Sequence, residues 1–222
     1  MKIHRLAWMF AVGGMLAAGS TAALAQQQRT IEAPAGTPWR HAATGLVIPP
    51  ALDGLPRTSI ADNSAAELDV TLQFGDPDKD PLSLYIFRPT LFSVPVWFDR
   101  AETQILARET YGRSTPHGEP IAFARPQAGI ANALRRTYLP GAQPFRSTGL
   151  VMLPIGEWLV AVRYSSRTVD PETLDGKLMA VIAGLGWHPP SREQRRRPSL
   201  RPCSPVRTAW PSHQRPNRKS RT

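Results

Sequence analysis

The amino-acid sequence predicts an α+β fold: an antiparallel sheet built from two or more hairpins, with two helices packed on it. Two observations carry this expectation. Two pairs of segments alternate apolar and polar residues with period two, and each pair is followed by a stretch whose apolar residues recur at helical spacing.

Leu68, Val70, Leu72 and Phe74 alternate with Glu67, Asp69, Thr71 and Gln73, which reads as a half-buried strand. The turn-rich segment Gly75 to Pro81 separates it from Leu82, Leu84 and Ile86, so the pair reads as an antiparallel hairpin with a longer loop. The period then changes. Val94, Trp97, Phe98, Ala101 and Ile105 recur at helical spacing, Pro95 sits where a first turn tolerates it, and Gly112 ends the pattern, predicting a helix over 95–111. Ile121 to Ala124 and Ala133 to Leu139 are weaker strands. Leu150 to Leu153 and Trp158 to Tyr164 flank Pro154, Ile155, Gly156 and Glu157 as a second hairpin, with Trp158, Val160, Val162 and Tyr164 on one face. Asp170 as N-cap and Pro171 at the first helical position open a last helix, whose stripe is Leu174, Leu178, Val181, Ile182 and Leu185 and which Gly184 and Gly186 close. Upstream, Gly45 to Ile48 and Thr58 to Ile60 read as short strands.

These elements occupy only part of the chain. Lys2 and Arg5 precede an uncharged run from Leu6 to Ala18, and small residues at Ala23 and Ala25 stand just before Gln26, the pattern of a secretory signal peptide over 1–25. The apolar run is shorter than the about 20 residues that a membrane-spanning helix needs, so cleavage after Ala25 is expected in preference to a retained anchor. Residues 26–40 read as a flexible lead-in, 41–188 as one α+β domain, and 189–222 as a disordered basic tail. The formal charge of +10 is unevenly spread: the tail carries +9 and the leader +2, leaving −1 for residues 26–188. A body this close to neutral presents no basic face to nucleic acid or membrane. The single cysteine, Cys203, lies in the tail, which excludes a disulfide framework and thiol chemistry from the body.

Candidate chemistry is sparse. Asp76, Asp78 and Asp80 suggest a calcium loop, but the loop's glycine and bidentate glutamate positions hold Pro81 and Phe87, and acids in a bend are ordinary turn formers. Ser114, His117 and Glu119 are neighbours along one loop, whereas nucleophilic catalysis needs such groups converged in space. The body's histidines, His41, His117 and His188, are too widely spaced for a zinc motif. Gly184, Gly186 and Trp187 end a helix where a phosphate cradle opens one. Trp97, Trp158, Tyr164 and Trp187 are aromatic enough to line an apolar pocket, and such positions are more often core. No catalytic residue, metal ligand or cofactor is therefore assigned. The tail, with prolines at 189, 190, 198, 202, 205, 211 and 216, is either a polycation for anionic surfaces or a non-functional extension of the kind produced by out-of-frame GC-rich DNA; a composition that cannot fold favours the second.

In pattern, Gly45 to Pro49, the hairpins, and the strand Gly156, Glu157, Trp158 with its Asp170-capped helix resemble small exported proteins of Gram-negative bacteria, with a looser likeness to PsbP-like α/β/α domains over about residues 40–188. The resemblance implies an accessory or binding role in the envelope and transfers no functional residue. The leading expectation is a periplasmic or secreted, non-enzymatic binding module using a groove between sheet and helix. Its partner would be an apolar small molecule or another envelope protein. A hydrolase with a dispersed active site and a polycationic binder acting through the tail are the alternatives.

Overall fold

The computed structural model describes residues 28–64 and 66–187. The leader with Ala23 and Ala25, His188, Cys203 and the tail lie outside the described residues. Strand accounts for 40% of the described residues and helix for 19%, so the sheet sets the architecture.

Eleven strands form in the described residues: β1 Arg29–Thr30, β2 Trp39–Arg40, β3 Val47–Ile48, β4 Ala51–Leu52, β5 Leu55–Asp62, β6 Asp69–Phe74, β7 Leu82–Phe87, β8 Thr115–Phe123, β9 Ala133–Leu139, β10 Ser147–Ile155 and β11 Trp158–Ser166. Helix α1 spans Val94–Leu106 and α2 spans Pro171–Gly184. The main sheet runs β1-β5-β6-β7-β11-β10-β9-β8, with β4 paired to β5, and every pairing is antiparallel. The pairing of β7 with β11 joins the earlier and later halves of the chain at the sheet's centre. Strands β2 and β3 form a separate two-stranded ribbon, which Val47 ties to Gly186 just after α2.

The two helices cover opposite faces, and the alternation of β10 and β11 shows why both are needed. Val151, Leu153, Val160, Val162 and Tyr164 pack on the α2 side with Leu174, Leu178, Val181 and Ile182. Leu150, Met152, Leu159 and Ala161 pack on the other side with Val94, Phe98 and Ile105 of α1. Only one face of β11 stands out in its sequence, because small and aliphatic residues on the second face disguise the fact that both are buried.

Helix α2 begins where the Asp170 carboxylate accepts from the Thr173 amide at 2.7 Å. It seats on Gly149 of β10, where a Cβ would stand 2.5 Å from Leu178 Cδ1. Helix α1 is capped by Ser93 and ends at Leu106, earlier than its apolar spacing predicts. Arg108 turns extended, a short 3-10 turn follows at Glu109–Tyr111, and Gly112 at φ 61° reverses the chain.

Adjacent arginines on β9 hold the helices from either side. Arg135 donates to Asp175 of α2 at 2.7 Å, and Arg136 to Glu102 of α1 at 3.0 Å. Period-two alternation sends neighbouring side chains to opposite faces, so a two-residue sequence serves two layers.

Two features of the N-terminal half are absent from the expectation. Asp53 and Gly54, at φ 49° and 76°, form a two-residue turn joining β4 to β5, the Asp-Gly signal of a tight hairpin. Within the stretch expected to be a flexible lead-in, β1 pairs with β5 and β2 with β3, and Arg29 reaches Asp62 at 3.3 Å. Asp62 itself is fully buried at the end of β5. It accepts from the Ser64 amide and hydroxyl at 2.9 and 2.7 Å and from the Glu67 amide at 3.0 Å.

The Gly149 contact generates a paired prediction. Gly149→Ala should lower the unfolding free energy by about 1–3 kcal/mol through overpacking. Gly176→Ala, on an open face of α2, should raise it by about 0.5–1 kcal/mol; urea denaturation reads both. Asp62 generates a second. Burial pushes its pKa up, but the hydrogen bonds from Glu67, Ser64 and Arg29 prevail and hold the carboxyl below its ordinary value. Its stabilisation is therefore complete above the unfolded-chain value of about 3.9 and disappears as pH falls through the lower folded value. Asp62→Asn should be less stable than wild type at pH 7 and show a shallower loss of urea midpoint below about pH 4.

Candidate functional site

The sequence-derived candidates are not brought together. An extended segment places residues three apart on opposite faces, and that separates Ser114 from His117. The Ser114 hydroxyl is buried without a hydrogen-bond partner, whereas His117 on β8 faces Glu172 of α2 across 3.9 Å. Glu119 is almost wholly exposed at the β8 bulge and approaches Arg136 at 4.0 Å. The three groups make no hydrogen bond with one another, so no relay for nucleophilic catalysis is formed.

The acids of the β6–β7 bend also take separate roles. Asp76 accepts from the Asp78 amide at 2.9 Å, while Asp80 accepts from the Arg167 amide, tying the bend to the end of β11. Among the described residues, no three His, Cys, Asp or Glu side chains cluster as a metal set. His41 is fully buried. Its Nε2 donates to the Glu67 carbonyl at 3.0 Å, which leaves Nδ1 to accept from the Thr44 amide, and its ring packs edge-on to Trp158 at 4.8 Å. Gly186 lets Val47 approach, and the indole of Trp187 donates to the Ile182 carbonyl. The Tyr164 hydroxyl and the Lys177 ammonium both donate to Asp53 Oδ2, at 2.8 and 2.7 Å, fixing the β4–β5 turn on α2. Each of these groups has a structural task.

Of the four aromatic residues named from the sequence, only Trp97 lines an open groove. A helix about 10 Å across covers about two strands at a spacing near 4.8 Å, and α1 sits over β9 and β10. The same face of β6, β7 and β11 is left beside it as a groove of about 480 Å3. Strand register arranges its floor in rows. Asp69 and Phe87 form the first, Tyr85, Ala161 and Met152 the second, and Arg163 and Leu150 the third. Trp97, Arg100, Ala101, Gln104 and Ile105 of α1 form the wall. Trp97 stands edge-on to Phe87 at 5.0 Å and donates its indole N–H to the Leu91 carbonyl, holding the loop that leads into α1. Leu91 and Phe92 of that loop and Val96 of the first helical turn are exposed.

Charged side chains stand at both ends of this mostly apolar groove. Three arginines and one carboxylate line it; Arg88 is paired with Glu157 at 2.7 Å, and Arg100 lies over the Trp97 ring. Arg163 is different. Its Nε and Nη2 are both buried without a hydrogen-bond partner, and it is the only described residue to contribute two such atoms. Its guanidinium lies 5.2 Å from the Tyr111 ring centroid. The neighbouring hydroxyls are engaged elsewhere: Ser83 donates to Gln73, and Tyr111, Ser165 and Thr148 bond among themselves. Cation–π attraction of about 0.5–2 kcal/mol offsets only part of the cost of a charged donor buried without an acceptor. The nearby Tyr138 phenol is also buried without a partner; burial first, then the Glu102 carboxylate, push its pKa well above the ordinary tyrosine value.

Arg163 went unremarked in the sequence because it occupies the less conspicuous face of β11, behind Leu159 and Ala161. The available signal was a lone charge on a strand, standing between Val162 and Tyr164. Because its fork is unpaired, Arg163→Met should leave the unfolding free energy unchanged or raise it by about 1–2 kcal/mol, as measured by urea denaturation.

Compared with known proteins, the chain matches no family model, no curated protein and no solved structure.

Proposed function

We propose that this chain is a non-enzymatic binding or accessory module of the bacterial envelope, exported by its leader, with the groove beside α1 as its ligand site. In this reading two hairpin-and-helix units form the framework, and the open flank of the sheet is the working surface. The observation that carries it is the groove itself: about 480 Å3, floored by Tyr85, Phe87, Ala161 and Met152, walled by Trp97 and ending at a guanidinium with unpaired donors. That volume lies within the roughly 300–1,000 Å3 typical of small-molecule sites, and few polar groups among many apolar ones is their usual lining. Leu91, Phe92 and Val96 extend the apolar surface beyond it.

A dispersed hydrolase has less support, since Ser114, His117 and Glu119 stand apart. Binding through the tail rests on charge alone, and the tail lies outside the described residues.

The test uses a neutral fluorescent probe, N-phenylnaphthylamine, titrated into the purified protein. Saturable binding is expected, and Ala101→Trp, which fills the groove from the helix side, should weaken it by at least about tenfold, the equivalent of about 1.4 kcal/mol. Absence of saturable binding to the wild type, or equal binding by Ala101→Trp, would sink the proposal.

A further inference from the structure

Resting on that reading of the groove as a ligand site, the geometry points to a narrower ligand class: we infer that the groove takes an amphipathic monocarboxylate, its apolar body on Tyr85, Phe87 and Trp97 and its head on Arg163. The first argument is which donors are free. Nε and Nη2 together form one side of the guanidinium fork, the pair of parallel N–H groups that matches the two oxygens of a carboxylate. An isolated spare donor would be satisfied by any carbonyl, whereas a vacant fork side selects a planar, bidentate, anionic partner.

The second argument is position. Register places Arg163 in the third row of the floor, two rows from Phe87 along the strands. By register Arg163 lies level with Ser83, four residues along β7 from Phe87 and so about 13 Å away at 3.3 Å per residue, a length that an extended chain of about ten carbons matches. The apolar row of Tyr85, Ala161 and Met152 therefore separates the Arg163 guanidinium from the Asp69, Arg88 and Arg100 side chains at the Phe87 end, a spacing that suits a single anionic head on an unbranched or aromatic body.

The third argument is the balance of charge around the fork. Asp69 is the sole carboxylate lining the groove. It sits in the first row, at the opposite end from Arg163, and accepts from Asn63. Arg100 and Gln104, on the helix wall, add a cation and an amide donor. The other carboxylate acting on this region, Glu102, is bound by Arg136 at 3.0 Å. An incoming anion thus meets cations without displacing an internal ion pair. Both nitrogens are buried, so carboxylate binding requires the Arg163 side chain to turn them from beside the Tyr111 ring into the groove.

The experiment displaces N-phenylnaphthylamine with three straight-chain competitors of nearly equal alkyl length that differ in head group: decanoate, decanol and decyltrimethylammonium. Decanoate should displace the probe at a concentration at least about tenfold below decanol, with the cation weakest. A charge-assisted hydrogen bond of about 1.5–3 kcal/mol sets that factor. The preference should shrink as pH falls through the ordinary carboxylic acid range of about 4–5, a wild-type measurement that needs no variant. Arg163→Gln should abolish the preference while still binding the neutral probe, and Arg163→Lys, which keeps the charge without the fork, should recover only part of it. Equal displacement by decanoate and decanol, or a preference that survives in Arg163→Gln, overturns the carboxylate inference and leaves the groove as an apolar site. Failure of the wild type to bind the neutral probe overturns both readings.

Discussion

A helix is about two strands wide, and on one face of this sheet α1 is the helix available to cover eight strands in a row. Everything distinctive about the molecule depends on that mismatch. On the opposite face, α2 shares the covering with the β2–β3 ribbon and the β4–β5 turn, whose Leu46, Ile48 and Leu52 join its core. On the α1 face no such supplement among the described residues reaches β6 and β7, and the β7 side chains Tyr85 and Phe87 remain half-buried beside the helix. The groove is thus a consequence of how few elements share the work of burial.

Polar groups in this fold act mainly as fasteners between layers. Arg135 and Arg136 reach opposite helices from adjacent positions on one strand, Asp53 gathers Tyr164 and Lys177, and His41 ties the β2–β3 ribbon to the turn before β6. Each satisfies its partners with short, directed bonds, as buried polar groups require. Against that pattern the Arg163 fork stands out, because a buried charge without an acceptor is normally neutralised by pairing. Among the described residues Arg163 alone leaves two buried donors unpaired, and it does so where it lines the groove beside α1.

The chemistry suggested by chain adjacency dissolves for a related reason. Ser114, His117 and Glu119 are close in sequence, yet extended backbone points successive side chains to opposite faces, and one bulge redirects the third. Catalytic convergence in a sheet protein comes from different strands or from loops, so proximity along a single strand is a poor guide to proximity in space. The groove is assembled in the converse way, from β6, β7, β11, β10 and α1.

Much of the fold was legible because period and capping are local properties. Val70 to Phe74 and Leu82 to Ile86 alternate because each strand has one face in the core on the α2 side, whereas Leu68, read from the sequence as part of the same stripe, is exposed before β6; Asp170 with Pro171 marks the start of α2 because orphan amides need an acceptor there. The Asp53–Gly54 turn was missed although its signal is just as local, since positive φ at both positions favours that dipeptide. The sequence by itself determined the element types, the charge balance of the body and the absence of thiols from it. Tertiary structure decided which helix covers which strands, that β11 joins β7, and that Arg163 faces the open flank, because register and layer coverage depend on contacts between segments some 80 residues apart in the chain, which no local period encodes.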